Sequence, residues 1–173
     1  MLVLTPSIED IKNLNDLNRG TDPSMITEED KEPHETSAGV IYQKIDGKDC
    51  YLIMDHVKHN MLTFPIGKCK PNQSALEGLK AELKEEIGID VCAAEEAVAY
   101  TKAYNFAGDY VPIFTHVFDV ILADGVIENK EPNKCRGIMW LTEEEIMNSG
   151  RRIADCVVAY FNMKRMKKEV VGA

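Results

Sequence analysis

Three glutamates, Glu82, Glu85 and Glu86, stand in one helix-forming run, the second and third lying three and four residues beyond the first. At that spacing all three are neighbours on the helix surface, and they repel one another. Lys80 and Lys84 project away from the acidic sector and Ala81 brings no charge, so nothing on the helix neutralises the cluster. Three hard oxygen donors beside a loop carrying Gly67 and Pro71 are what a hydrated Mg2+ or Mn2+ uses, with open coordination positions for a phosphate. The plain alternative is a solvated acidic face.

The run that carries these residues marks its own ends. Ser74 followed by Glu77 forms a capping box, Leu76, Leu79, Leu83 and Ile87 recur at helical spacing as one core-facing stripe, and Gly88 stops the helix. Upstream, Ala38–Tyr42 and Cys50–Met54 read as a hairpin turned at Asp46-Gly47, His56–Asn60 as a loop, and Met61–Ile66 as a short strand entering Gly67. Downstream, Ala97–Tyr104, Pro112–Leu122 and Gly137–Leu141 read as strands. Thr142 to Glu145 is a second capping box, and Arg152–Lys168 a closing helix with Ile153, Cys156, Val157, Tyr160 and Phe161 inward. Strands before, beside and after helices predict a layered α/β sandwich.

At 173 residues and 45% apolar content the chain is expected to build one core. Residues 1–36 read as a short amphipathic helix from Ser7 to Arg19 and a polar connector, and residues 37–173 as the main domain. A net charge of -9 argues against a broad basic surface for extended nucleic acid. Five widely spaced cysteines, with no Cys-x-x-Cys pair, read as free thiols in a reducing compartment, so a cytoplasmic protein is expected. No apolar run is long enough to span a membrane.

The run from Gly67 to Ile89 resembles the signature of the Nudix hydrolases: Gly, five residues, Glu, seven residues, Arg-Glu, aliphatic, any, Glu-Glu, any, Gly, aliphatic. Gly67, Glu82, Leu83, Glu85, Glu86, Gly88 and Ile89 match it in register, whereas Gln73 replaces the first Glu and Ala81 the Arg. Glu131-Pro-Asn-Lys134-Cys135, followed by Trp140, is similar to a pattern in MutT-like members. The resemblance implies an αβα sandwich with a mixed β-sheet between helices, and metal-dependent cleavage of a nucleoside diphosphate linked to another group. It implies Glu82, Glu85, Glu86 and the Gly67 carbonyl as ligands of Mg2+ or Mn2+, with Glu82 or Glu86 taking the proton from the attacking water. The MutT-like patch leans towards a nucleoside triphosphate releasing monophosphate and pyrophosphate. ADP-ribose, dinucleoside polyphosphates and nucleotide-capped ends are alternatives, as is a Nudix-fold protein that senses a nucleotide without cleaving it, for which the losses at Gln73 and Ala81 speak.

Outside the signature, Glu128, Glu131 and Asp109 are candidates for a further carboxylate, and Tyr104, Phe106 and Tyr110 for stacking on a base. Lys102 is a candidate phosphate contact, set against a solvent-facing strand lysine. His116 reads as a hydrogen-bonded core histidine and Trp140 as packing. A small-molecule nucleotide is the expected partner, and relatives suggest a possible homodimer.

Overall fold

The computed structural model describes residues 2–4, 21–106 and 109–171, without the side chains at 2–4, 23, 105, 106, 109 and 171. The expected helix from Ser7 to Arg19 lies outside these, as do the side chains of Phe106 and Asp109. Among the described residues, nine strands form two sheets. The first is mixed, with β1 (Leu2–Leu4), β7 (Val91–Phe106), β8 (Asp109–Leu122), β2 (His34–Val40) and β6 (Ile66–Lys68) in that order. β1 runs parallel to β7 and β2 parallel to β8, while the remaining pairs are antiparallel. The second is antiparallel, with β4 (Lys48–His56) pairing β3 (Tyr42–Ile45), β5 (Met61–Thr63) and β9 (Cys135–Thr142).

The α/β class and the mixed sheet hold, but the hairpin arm differs from the expected Ala38–Tyr42. The chain changes sheet at Ile41: Ser37–Val40 pairs with β8, and only from Tyr42 does it pair with β4. The Ile41 carbonyl still accepts the Leu52 amide at 2.9 Å, which couples the two sheets at the crossing point. A run of five apolar or small residues carries no mark of that switch, because both sides of it are strand.

Helices cover both faces. α1 (Ala75–Ile87) packs Leu79, Leu83 and Ile87 against Ile41, Leu52, Met54, Phe118 and Val120. α3 (Asp155–Val171) packs Cys156, Val157, Tyr160 and Phe161 against Tyr51, Phe64, Val98 and Val117, and the short α2 (Glu143–Met147) adds Ile146. Leu76, expected in the α1 stripe, is exposed, and in the first turn it is Ala75 that packs against the core, its carbonyl accepting from the Ser37 hydroxyl at 2.7 Å. Ile153 precedes α3 and bridges to Leu62. Both capping boxes form, and α1 ends on Gly88 in the left-handed region at φ 77°, its amide donating to the Leu83 and Lys84 carbonyls. Trp140 packs against the α1 cluster, and His116 bonds Glu96 at 2.5 Å, as a core histidine would. Among the described residues, no helix is long and apolar enough to cross a membrane.

Candidate active site

α1 is aimed by β6. Gly67 pairs with Ser37 at the edge of the mixed sheet, and the Glu82 carboxyl lies directly over its α-carbon, in the space a side chain would take. A β-carbon built on Gly67 would stand 1.9 Å from Glu82 Cδ, so only glycine allows this approach. One turn further, Glu86 is buried and its carboxyl is in hydrogen-bond contact with that of Glu82. Glu86 Oε2 is buried with no hydrogen-bond partner. The solvated-face alternative therefore fails for these two residues and holds for Glu85, which is exposed on the outer flank.

Burial pushes the Glu82 carboxyl up to about 7, helped by the Glu85 charge. Glu86 is likewise raised well above the usual carboxylate range, by burial first and then by Glu82. Lys134 pulls both the other way, and is itself paired to Glu131 at 3.0 Å. A buried, unpartnered carboxylate oxygen beside a second carboxyl is a donor set short of a cation, and Nudix hydrolases generally use divalent metal ions. Glu82 and Glu86 fit such an ion. Among the described residues, however, no group of three or more His, Cys, Asp or Glu side chains closes around one point. Gln73, the substitute at the signature's first carboxylate, spends its Oε1 on the Lys70 amide at 2.9 Å within its own turn.

The pair has a pH signature. A carboxyl raised in the fold stays protonated where the unfolded chain is ionised, so its stability contribution is full below 4.5 and is lost as pH rises through about 7. His56 and His59 act in the opposite sense: burial lowers them to about 4 and about 3, so their contribution is present above 6.5 and lost as pH falls. Subtracting a Glu86→Gln variant isolates the glutamate part. In a chelator, the wild-type melting temperature is expected to fall relative to that variant between about pH 5 and pH 8, and Mn2+ to reverse the trend in the wild type alone. Parallel pH profiles would show that the pair carries no such strain.

From this pair a cleft of about 370 Å3 runs along the mixed sheet. Glu82, Glu86, Glu131 and Lys134 line one end; His56, His59, Lys102, Tyr104 and Ile113 line its walls, with Lys58 and Lys68 among them. Lys102 is not solvent-facing. It is buried, pairs with Asp155 at 3.2 Å and stands 5.3 Å over the Tyr104 ring, because its strand face is the cleft floor, closed from above by the start of α3. Tyr104 stacks on His59 at 5.8 Å and 7°, and His59 on His56 at 5.4 Å and 16°, giving a column of three nearly parallel rings. Glu128 is turned out to Lys130 at 2.8 Å, and Tyr110 is exposed. Neither lines the cleft.

Sequence reasoning missed His56, His59, Lys58, Lys68 and the connector. Its one available signal was the His-x-Lys-His turn itself, two rings three residues apart around a lysine.

The chain belongs to the NUDIX domain family, whose profile matches residues 33–161. No curated protein matches it by sequence. Similar solved structures include a MutT NUDIX hydrolase from Burkholderia pseudomallei, 15% identical, covering 77% of this chain and 97% of that one with a TM-score of 0.60. The NUDIX domain of Shewanella oneidensis NrtR, solved with ADP ribose, is 11% identical over 94% of this chain and 99% of its own, with a TM-score of 0.62. A C. elegans Ap4A hydrolase is 17% identical over 81% and 99%, with a TM-score of 0.56. At these identities the likeness is one of fold.

Proposed function

We propose that the protein hydrolyses a nucleoside triphosphate to the monophosphate and pyrophosphate, using Glu82 and Glu86 with one divalent ion or more. The observation that carries the reading is the buried carboxyl pair over Gly67 at the end of a cleft whose walls hold lysines and stacked rings. Bound there, Mg2+ or Mn2+ would supply a water activated for attack on phosphorus and offset the phosphate charge. Gly67, Glu82 and Glu86 would hold it, with Glu85 the third carboxylate of the same helix sector. Glu86 Oε2, buried without a partner and raised in basicity by burial, would accept the proton.

The lean towards a triphosphate rests on Glu131 and Lys134, an ion pair of the MutT-like patch that lines the cleft together with Glu82 and Glu86. ADP-ribose and dinucleoside polyphosphates are the competing substrates, in keeping with what the similar NrtR domain and Ap4A hydrolase bind or cleave. In this reading residues 37–173 are the catalytic domain, residues 25–36 add to the lining of its cleft, and the compartment is the cytosol.

The base would stack on an end of the His56–His59–Tyr104 column, whose middle ring is His59. Both histidines stay neutral near neutral pH, so the column offers a base no charge to desolvate. His59→Ala, which removes the middle ring, is expected to raise KM about tenfold while kcat stays within about twofold, the pattern of lost ground-state binding. An unchanged KM would remove the base from this wall. The reaction itself is tested by product analysis: a nucleoside triphosphate giving monophosphate and pyrophosphate supports it, and inorganic phosphate as the first product contradicts it.

A further inference from the structure

Asp30 is out of character with its surroundings. In the connector at 21–33, Glu28, Glu29, Lys31 and Glu32 are exposed and Asp30 is buried, at 7% exposure. A single turn, Glu29–Lys31, drops its carboxylate into the cleft beside Glu82 and Gly67. Each oxygen has its own cation. Oδ2 accepts from Lys58 Nζ at 2.5 Å and from the Thr27 amide at 2.7 Å, and Oδ1 is paired with Lys68 Nζ. Burial alone would raise this carboxyl, but the two ammonium groups and the amide hold it well below the usual carboxylate range.

Two geminal oxygens gripped by two lysines and a backbone amide are how a phosphoryl group is held. Lys68 follows Gly67 directly in β6, so this grip sits next to the carboxyl pair where the phosphorus chemistry is proposed. The connector fastens here through charge and backbone. It also donates the Asp22 amide to the Lys58 carbonyl at 2.7 Å and brings Thr21 Oγ1 to His59 Nδ1 at 3.0 Å, both on the 56–59 turn. An apolar plug could not be exchanged for an anion, whereas a carboxylate can be, because the phosphoryl oxygens offer the lysines the same partners.

We propose that Lys58 and Lys68 form an oxyanion subsite for a phosphoryl group of the substrate, and that Asp30 fills it as an internal competitor which the substrate must displace. Asp30 thereby sets selectivity. A substrate long enough to put a phosphoryl group on both lysines recovers what the displaced carboxylate loses, and a shorter one leaves the strap in place. The inference rests on the proposed reading of the cleft only in taking a phosphorylated ligand.

Its test is therefore read without turnover, by calorimetry with inorganic pyrophosphate in a chelator. Asp30→Asn keeps an acceptor for the Thr27 amide and removes the charge, and is expected to bind pyrophosphate at least about tenfold tighter than wild type. Adding Lys58→Ala to that variant is expected to abolish the gain. Equal or weaker binding by Asp30→Asn overturns the proposal, since a carboxylate that only orders the lysines would give that result. Should the variant prove unstable, hydrogen exchange on the wild type decides: saturating pyrophosphate is expected to raise exchange at Thr27–Lys31, and unchanged exchange with pyrophosphate bound overturns it. A gain in pyrophosphate affinity with no hydrolysis of any nucleotide would keep the subsite and remove the proposed reaction.

Discussion

Glu86→Gln is expected to lower kcat by about 10^2- to 10^4-fold while the protein folds and melts no lower than wild type in a chelator at pH 8. The two halves of that result come from the same atom. Glu86 is buried beside Glu82 with Oε2 unpartnered, so without a cation its charge is a liability, and the isosteric amide removes the charge while keeping the volume. Catalysis needs the charge back, both to hold a cation and to take a proton, and an amide does neither. A Glu86→Gln protein with wild-type turnover on its best substrate would remove Glu86 from the chemistry. One that fails to fold would mean that the carboxyl is a structural partner.

Gly67→Ala is the second large effect. The new methyl would meet Glu82 Cδ at 1.9 Å and Oε2 at 2.2 Å, contacts that no rotamer of alanine relieves. Glu82 must then swing away from β6, or β6 must leave the Ser37 pairing. Either move displaces a carboxylate by about 1 Å or more, and such a displacement costs about 10^2-fold in kcat. The melting temperature should fall by only a few degrees, because β6 is a three-residue edge strand. Gly67→Ala with unaltered activity would show that the approach of Glu82 to β6 is not needed.

What the sequence disclosed and what it withheld divide by range. α1 was readable end to end because a capping box, a period of 3.6 and a left-handed glycine all lie within fifteen residues. The glutamate pair was readable for the same reason, although the separation of Glu86 from exposed Glu85 depends on the tilt of the helix against the sheet. The burial of Lys102 was not readable, because strand alternation tells which face a side chain takes and not what covers that face. Here it is the start of α3, through Asp155. The ring column and the Asp30 grip were out of reach. They join Tyr104 to the 56–59 turn and a connector carboxylate to Lys58 and Lys68, pairings fixed only by the tertiary fold. The sheet change at Ile41 was hidden because both strands it separates have the same residue preferences.

The most direct test is a panel of nucleoside triphosphates, ADP-ribose and dinucleoside polyphosphates, with Mg2+ or Mn2+, comparing wild type with Glu86→Gln. The expected result is turnover on the triphosphates, releasing monophosphate and pyrophosphate and lost in the variant. Silence across the panel, with metal-dependent thermal stabilisation of wild type and variant alike by one nucleotide, would contradict it and leave a protein that binds a nucleotide without cleaving it.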